Sequence, residues 1–124
     1  MGCGSKDPCR RLYYPITPPH AATNMRPDVG RYTGTGGTLE VREEAGTRIA
    51  TFTYVSQSAQ GVVESGVLQA AAGAQFRGCH PAHTPSDGFS CTLWWNSTDG
   101  GEGVFQPVVF GVPQAPQNVT FHKQ

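Results

Sequence analysis

From Thr38 onward, apolar and polar positions alternate with a period of two. Thr38-Leu39-Glu40-Val41-Arg42-Glu43 sets Leu39 and Val41 against Glu40 and Arg42, the pattern of a half-buried strand. Ala45-Gly46 supplies a turn, and Thr47 to Val55 follows as a run of β-branched and aromatic residues with apolar groups on both faces, which predicts a central strand. Ser56 to Gly61 reads as a polar loop. Val62 to Gln69 reads as a strand bent or bulged at Gly66, and Ala70 to Ala74 as a short helical turn. Phe89-Ser90-Cys91-Thr92-Leu93-Trp94-Trp95 then returns from a loop at His80–Gly88, with Phe89, Cys91, Leu93 and Trp95 on one face and Ser90, Thr92 and Trp94 on the other. Asp99-Gly100-Gly101 turns into Val104–Phe110, where Pro107 predicts an edge or a bulge, and Asn118–Phe121 forms a last strand.

Strands this short and this closely spaced predict an all-β fold, a small antiparallel β-sandwich or barrel of about 6–8 strands. The composition agrees: 16 Gly and 10 Pro among 124 residues leave no long stretch rich in helix formers. Gly30-Arg31-Tyr32-Thr33 followed by a meander resembles the opening of lipocalin- or avidin-like barrels, with Tyr32 where those families carry Trp. That likeness covers four residues and identifies no family.

Residues 1–29 differ in kind from residues 30–124, which form the predicted β domain. Pro8, Pro15, Pro18, Pro19 and Pro27 forbid helix and interior strand, so this stretch is an extended arm. Leu12, Tyr13, Tyr14 and Ile16 are larger and more apolar than a solvated linker needs. They are expected to lie against a protein surface, that of a neighbour ahead of that of the chain's own domain.

Charge and cysteines narrow the function classes. Nine Lys plus Arg balance nine Asp plus Glu, giving no overall field toward nucleic acid or anionic lipid, and no apolar run is long enough to span a membrane. The four cysteines form two local pairs, Cys3 with Cys9 and Cys79 with Cys91. The second pair brackets the predicted hairpin loop and is a disulfide candidate. Such a bond implies an oxidising compartment or a particle that matures outside the cell. Met1-Gly2-Cys3 also resembles the lipidated start of a bacterial lipoprotein, which allows a lipid anchor at Cys3. A competing reading takes Cys79, His80, His83 and Cys91 as a zinc ligand set, although neighbouring Cys79 and His80 would strain to share one tetrahedral ion.

No nucleophile elbow, phosphate loop, dinucleotide fingerprint or zincin helix occurs, and nothing calls for a cofactor. The expected protein is therefore not an enzyme. It is a structural or interaction protein packed in a larger assembly with copies of itself or other subunits, most concretely a phage or virus particle protein located in the virion or outside the cell. Two alternatives stand beside it: a secreted or lipid-anchored ligand-binding module of the bacterial envelope, and a small metalloprotein using the Cys79–Cys91 loop. Trp94, opposite the core face, serves either as an exposed contact for a ligand or partner or as a residue buried under the arm or a second sheet.

Overall fold

The computed structural model describes residues 25–73, 88–109 and 112–124. Leu12, Tyr13, Tyr14, Ile16, Cys3, Cys9, Cys79, His80 and His83 lie outside these residues, so the expectations placed on them are not addressed by it. The described chain is nine strands: β1 (Gly30–Gly34), β2 (Thr38–Glu44), β3 (Thr47–Tyr54), β4 (Gln57–Val62), β5 (Val67–Gly73), β6 (Gly88–Ser97), β7 (Gly100–Val109), β8 (Val112–Pro113) and β9 (Gln117–Lys123). All pairings are antiparallel, in the order β4-β3-β2-β1-β9-β7-β6-β5, with the two-residue β8 clipped to β7.

This order is a meander rolled into a barrel. Each long strand lies beside the next in sequence, and β9 returns to pair with β1, Tyr32 opposite Lys123 and Gly34 opposite Phe121. β4 and β5 lie side by side along the last seam without a ladder between them, so close that a Cβ on Gly61 would sit 3.1 Å from Leu68 Cδ1. Of the two predicted forms, sandwich and barrel, the sheet takes the barrel.

The period-two pattern decides what the barrel encloses. Leu39 and Val41, Ala50 and Phe52, Leu68 and Ala70, Phe89 through Trp95 on alternate positions, Phe105, Val119 and Phe121 all turn inward and are buried. Two aromatic layers fill the bore. Near one end Tyr32 and Phe121 stand edge-on to Trp95, with centroids 5.9 and 4.9 Å away. Near the other, Phe52 meets Phe89 at 5.7 Å and Tyr54 meets Phe105 at 4.6 Å, separations at which ring pairs add to simple burial. Gly101 makes room for this filling: a Cβ there would sit 2.0 Å from the Trp94 carbonyl oxygen and 2.8 Å from the Phe121 ring.

Three local expectations are corrected. Gln57-Ser58-Ala59-Gln60-Gly61-Val62 is a strand and not a loop, because its ladder to β3 needs only main-chain groups and its inward positions need only small side chains. Ala70 to Ala72 continues β5 and does not form a helical turn, since β6 lies alongside and tertiary pairing overrides the propensity of alanine. The strand expected over Val62–Gln69, bent or bulged at Gly66, is instead two strands, with the interruption where it was expected: Gly66, at φ +80°, turns the chain from β4 into β5. Pro107 sits within β7, but its carbonyl accepts from Gln114 N at 2.8 Å on the side where the β9 ladder has already ended at Phe105. A residue's N and C=O point to the same side of a strand, so the missing N–H removes no bond to β6.

Candidate functional site

The strand directions divide the turns between two ends of the barrel, and the two ends are built from different chemistry. We call the end at the β2–β3, β4–β5 and β6–β7 turns the base. The end at the β1–β2 and β3–β4 turns, where β5 stops and β6 starts, is the mouth.

The base is closed by hydrogen bonds and ion pairs. Residues 25–29 cross it with Pro27 buried, held by Arg48 Nε donating to the Pro27 carbonyl at 2.9 Å and by Asp28 N donating to the Thr98 carbonyl at 2.8 Å. The Tyr32 hydroxyl reaches the same two turns, at 2.7 Å from the Asp28 carbonyl and 3.1 Å from that of Thr98. Burial raises the Tyr32 phenol above its ordinary pKa, against a smaller opposing effect of the nearby Trp95 indole. That indole N–H is buried and does not reach hydrogen-bond geometry with any partner among the described residues. Outside this plug, Arg26 pairs with Glu64 at 2.8 Å and donates to the Gly46 carbonyl, Arg48 pairs with Glu43, and the Arg48 amide donates to Glu64. The Arg26 hydrogen bond, followed by that of the Arg48 amide, lowers the Glu64 pKa.

The mouth carries no charged side chain among its described residues. Thr35 to Thr38, Tyr54 to Gln57, Gly73, Gly88, Pro107 to Val109 and Val112 to Gln117 are all neutral. A concavity of about 270 Å³ opens there, lined by Tyr54, Val55, Ser56, Gln57, Gly88, Pro107, Val108 and Val109. Its rim is apolar and wet: Val109 and Val112 are exposed, and Val55 keeps 83% of its surface in solvent.

Val55 is also in an unfavourable backbone state. It is the first of two loop residues between the paired Tyr54 and Gln57, and its φ is +58° while Ser56 has none in the positive range. That is the sign pattern of a type II′ hairpin turn, where glycine is the rule. A β-branched residue there costs about 1–2 kcal/mol. Ala45 also has positive φ, +53°, but it precedes Gly46 in an Ala-Gly turn and carries only a methyl group.

The remaining sequence candidates are placed as follows. Trp95 is in the core, as its alternation predicts. Trp94 faces outward on β6 between Val67 and Glu102, yet is only 8% exposed. Cys91 faces inward between Ala70 and Phe105 as a free, buried thiol, its pKa pushed up to about 12 by burial. Among the described residues no three metal-ligating side chains gather. The base plug at Pro27 and the strained Val55 were missed at the level of sequence. A buried proline in a polar stretch carries no periodic signal, and a valine at a hairpin tip reads as the end of a strand.

The chain matches no protein-family profile, no curated protein and no solved structure.

Proposed function

We propose that this protein is a non-catalytic interaction module that engages a protein partner through the mouth of its barrel, as a subunit of a larger assembly. The observation that carries the reading is Val55, a large apolar side chain held in solvent by a backbone conformation that disfavours it. Strain at an exposed apolar tip stabilises nothing in the free chain, and such strain gathers where surfaces are used. Val109 and Val112 extend the same rim, which among the described residues holds no charged side chain, as expected of the centre of a protein contact, where charged residues are depleted.

Shape favours a protein over a small ligand. Pockets for small molecules run to about 300–1,000 Å³ and enclose most of their ligand. Here the concavity is about 270 Å³ and open, and the bore beneath it is filled by Phe52, Phe89 and Phe105. A phage or virus particle, with a virion or extracellular location, is the concrete form we favour, supported by the balanced charge and the proline-rich arm.

The test introduces charge into the rim. Full-length Val109→Lys/Val112→Lys, both positions exposed, is expressed in the source cell or particle and fractionated by size. The wild-type chain is expected in the large fraction and the variant in the monomer pool. Equal retention of both in the large fraction overturns the reading.

A further inference from the structure

The outer wall of a barrel is convex, and the side chains on it splay apart. Across β6, β7 and β9 the wall is instead hollowed by a concavity of about 380 Å³, whose lining includes Trp94, Glu102, Gly103, Val104, Asn118 and Thr120. It shares no residue with the concavity at the mouth. The ladders fix its layout: Trp94 stands beside Glu102 and Glu102 beside Thr120, while in the next row Val104 stands beside Asn118. Three strands span about 10 Å and the two rows lie about 7 Å apart. Gly103 adds bare backbone to the lining, and a Cβ there would meet the Thr92 carbonyl oxygen at 2.2 Å, so no side chain can be placed at that point.

The chemistry of this patch is mixed. Glu102, Asn118 and Thr120 are exposed, and neither their side chains nor the Trp94 indole has a hydrogen-bond partner among the described residues. They supply an acceptor, an amide and a hydroxyl that each donate and accept, and an indole donor. Val104, half-buried, and the accessible part of Trp94 set an apolar surface beside them.

We propose that this hollow binds one ring of a neutral saccharide, with Glu102, Asn118 and Thr120 taking its hydroxyls and Trp94 and Val104 its C–H face. A sugar hydroxyl both donates and accepts, so it needs a lining that does both, next to an apolar surface for the ring. Other ligand classes fit less well. β6, β7 and β9 are each paired on both sides, so no free strand edge is offered to a peptide backbone. The single charge, Glu102, repels anions. A cation would call for the open face of an aromatic ring, and Trp94 keeps only 8% of its surface in solvent. The hollow is open, so one side of the ring stays in water and the site suits a residue of a longer glycan at millimolar affinity. What the mouth binds does not bear on this site.

The experiment uses the full chain, a glycan array as the screen, and methyl glycosides of the responding sugars for titration. Binding is followed by the two indole N–H signals of the isotope-labelled protein, with Trp94→Phe to assign them. Millimolar methyl glycoside is expected to shift the Trp94 signal to saturation, while that of Trp95, sealed in the core, stays in place and reports an intact fold. Glu102→Gln and Asn118→Ala, both at exposed positions, should each weaken binding by about tenfold. Val109→Lys/Val112→Lys at the mouth should bind as the wild type does. Silence of the array, or equal affinity in the wild-type, Glu102→Gln and Asn118→Ala chains, overturns the proposal. So does a Trp94 response to tetramethylammonium or to an uncharged tetrapeptide that exceeds the response to every glycoside.

Discussion

The base and the mouth of one barrel are finished by opposite means. At the base, Arg26, Arg48, Glu43, Glu64 and the Tyr32 hydroxyl satisfy turn carbonyls and each other around a buried proline. At the mouth, neutral turns leave Tyr54 half-buried and Val55 in solvent at positive φ. One end is specified by ion pairs and buried polar contacts, the other by uncharged hydrogen bonds such as those of Gln114 N to the Pro107 carbonyl and Gln106 Nε2 to the Gln114 carbonyl. Among the described residues the mouth therefore differs from the base in carrying a strained, exposed apolar tip and no charged side chain.

The comparison can be broken most directly in the two aromatic layers. Trp95→Ala near the base should cost about 3–5 kcal/mol in denaturant titration, whereas Tyr54→Ala at the mouth should cost about 1–2 because its ring is already partly solvated. Equal losses would mean that the mouth is as structural as the base.

Next in size is the latch over Pro27. Arg48→Met removes the bond to the Pro27 carbonyl and the Glu43 pair, and should destabilise by about 1–2 kcal/mol. The latch also gives the base an acid sensitivity. The folded pKa of Glu64 is depressed, first by Arg26, so its contribution is full above the ordinary glutamate value of 4.5 and is lost as pH falls through the folded value. A Glu64→Gln chain should show a shallower fall of melting temperature below pH 4.5 than the wild type.

A smaller effect of opposite sign is expected at the mouth. Val55→Gly relieves the positive φ and should raise stability by up to about 1 kcal/mol and, on the proposed function, lower the share of the chain in the large fraction. A loss of stability on this change would remove the argument from strain. The smallest effect concerns Cys91, which belongs to neither end. With its thiol pKa near 12 in the folded chain, against 9.0 ordinarily, it favours folding below pH 9 and loses that contribution as pH rises toward 12. Among the described cysteines it should be silent to a thiol reagent at pH 8 until the chain is unfolded.

Strands with a full apolar stripe were legible in the sequence: β2, β3, β6 and the last turn of β9 announce themselves by Leu39 and Val41, Phe52, Phe89 through Trp95, and Val119 and Phe121. β4 and the upper half of β5 were not, because their inward residues are Ala59, Gly61, Ala70 and Ala72, small groups set by how close two strands come and not by hydrophobic pattern. Trp95 could be assigned to the core from alternation, and Trp94 to the opposite face. That the opposite face would itself be buried could not, since alternation tells sides apart and says nothing of what lies over them. The mouth was invisible for a related reason: the lack of charge among its described residues emerges only when the turns of distant strands are brought together.

The unlaced seam between β4 and β5 gives the barrel a grain. Every other junction must break a ladder of main-chain bonds to part, including the long-range one between β1 and β9. Along the seam, strands joined by the short turn through Gly66 are held by side-chain contact alone, so fluctuations that open the wall should begin there and run away from it in both directions. Amide exchange would then be fastest on the facing edges of β4 and β5 and slowest on the opposite side, at β1, β9 and β7, so that the cylinder behaves in solution as a sheet with two edges pressed together.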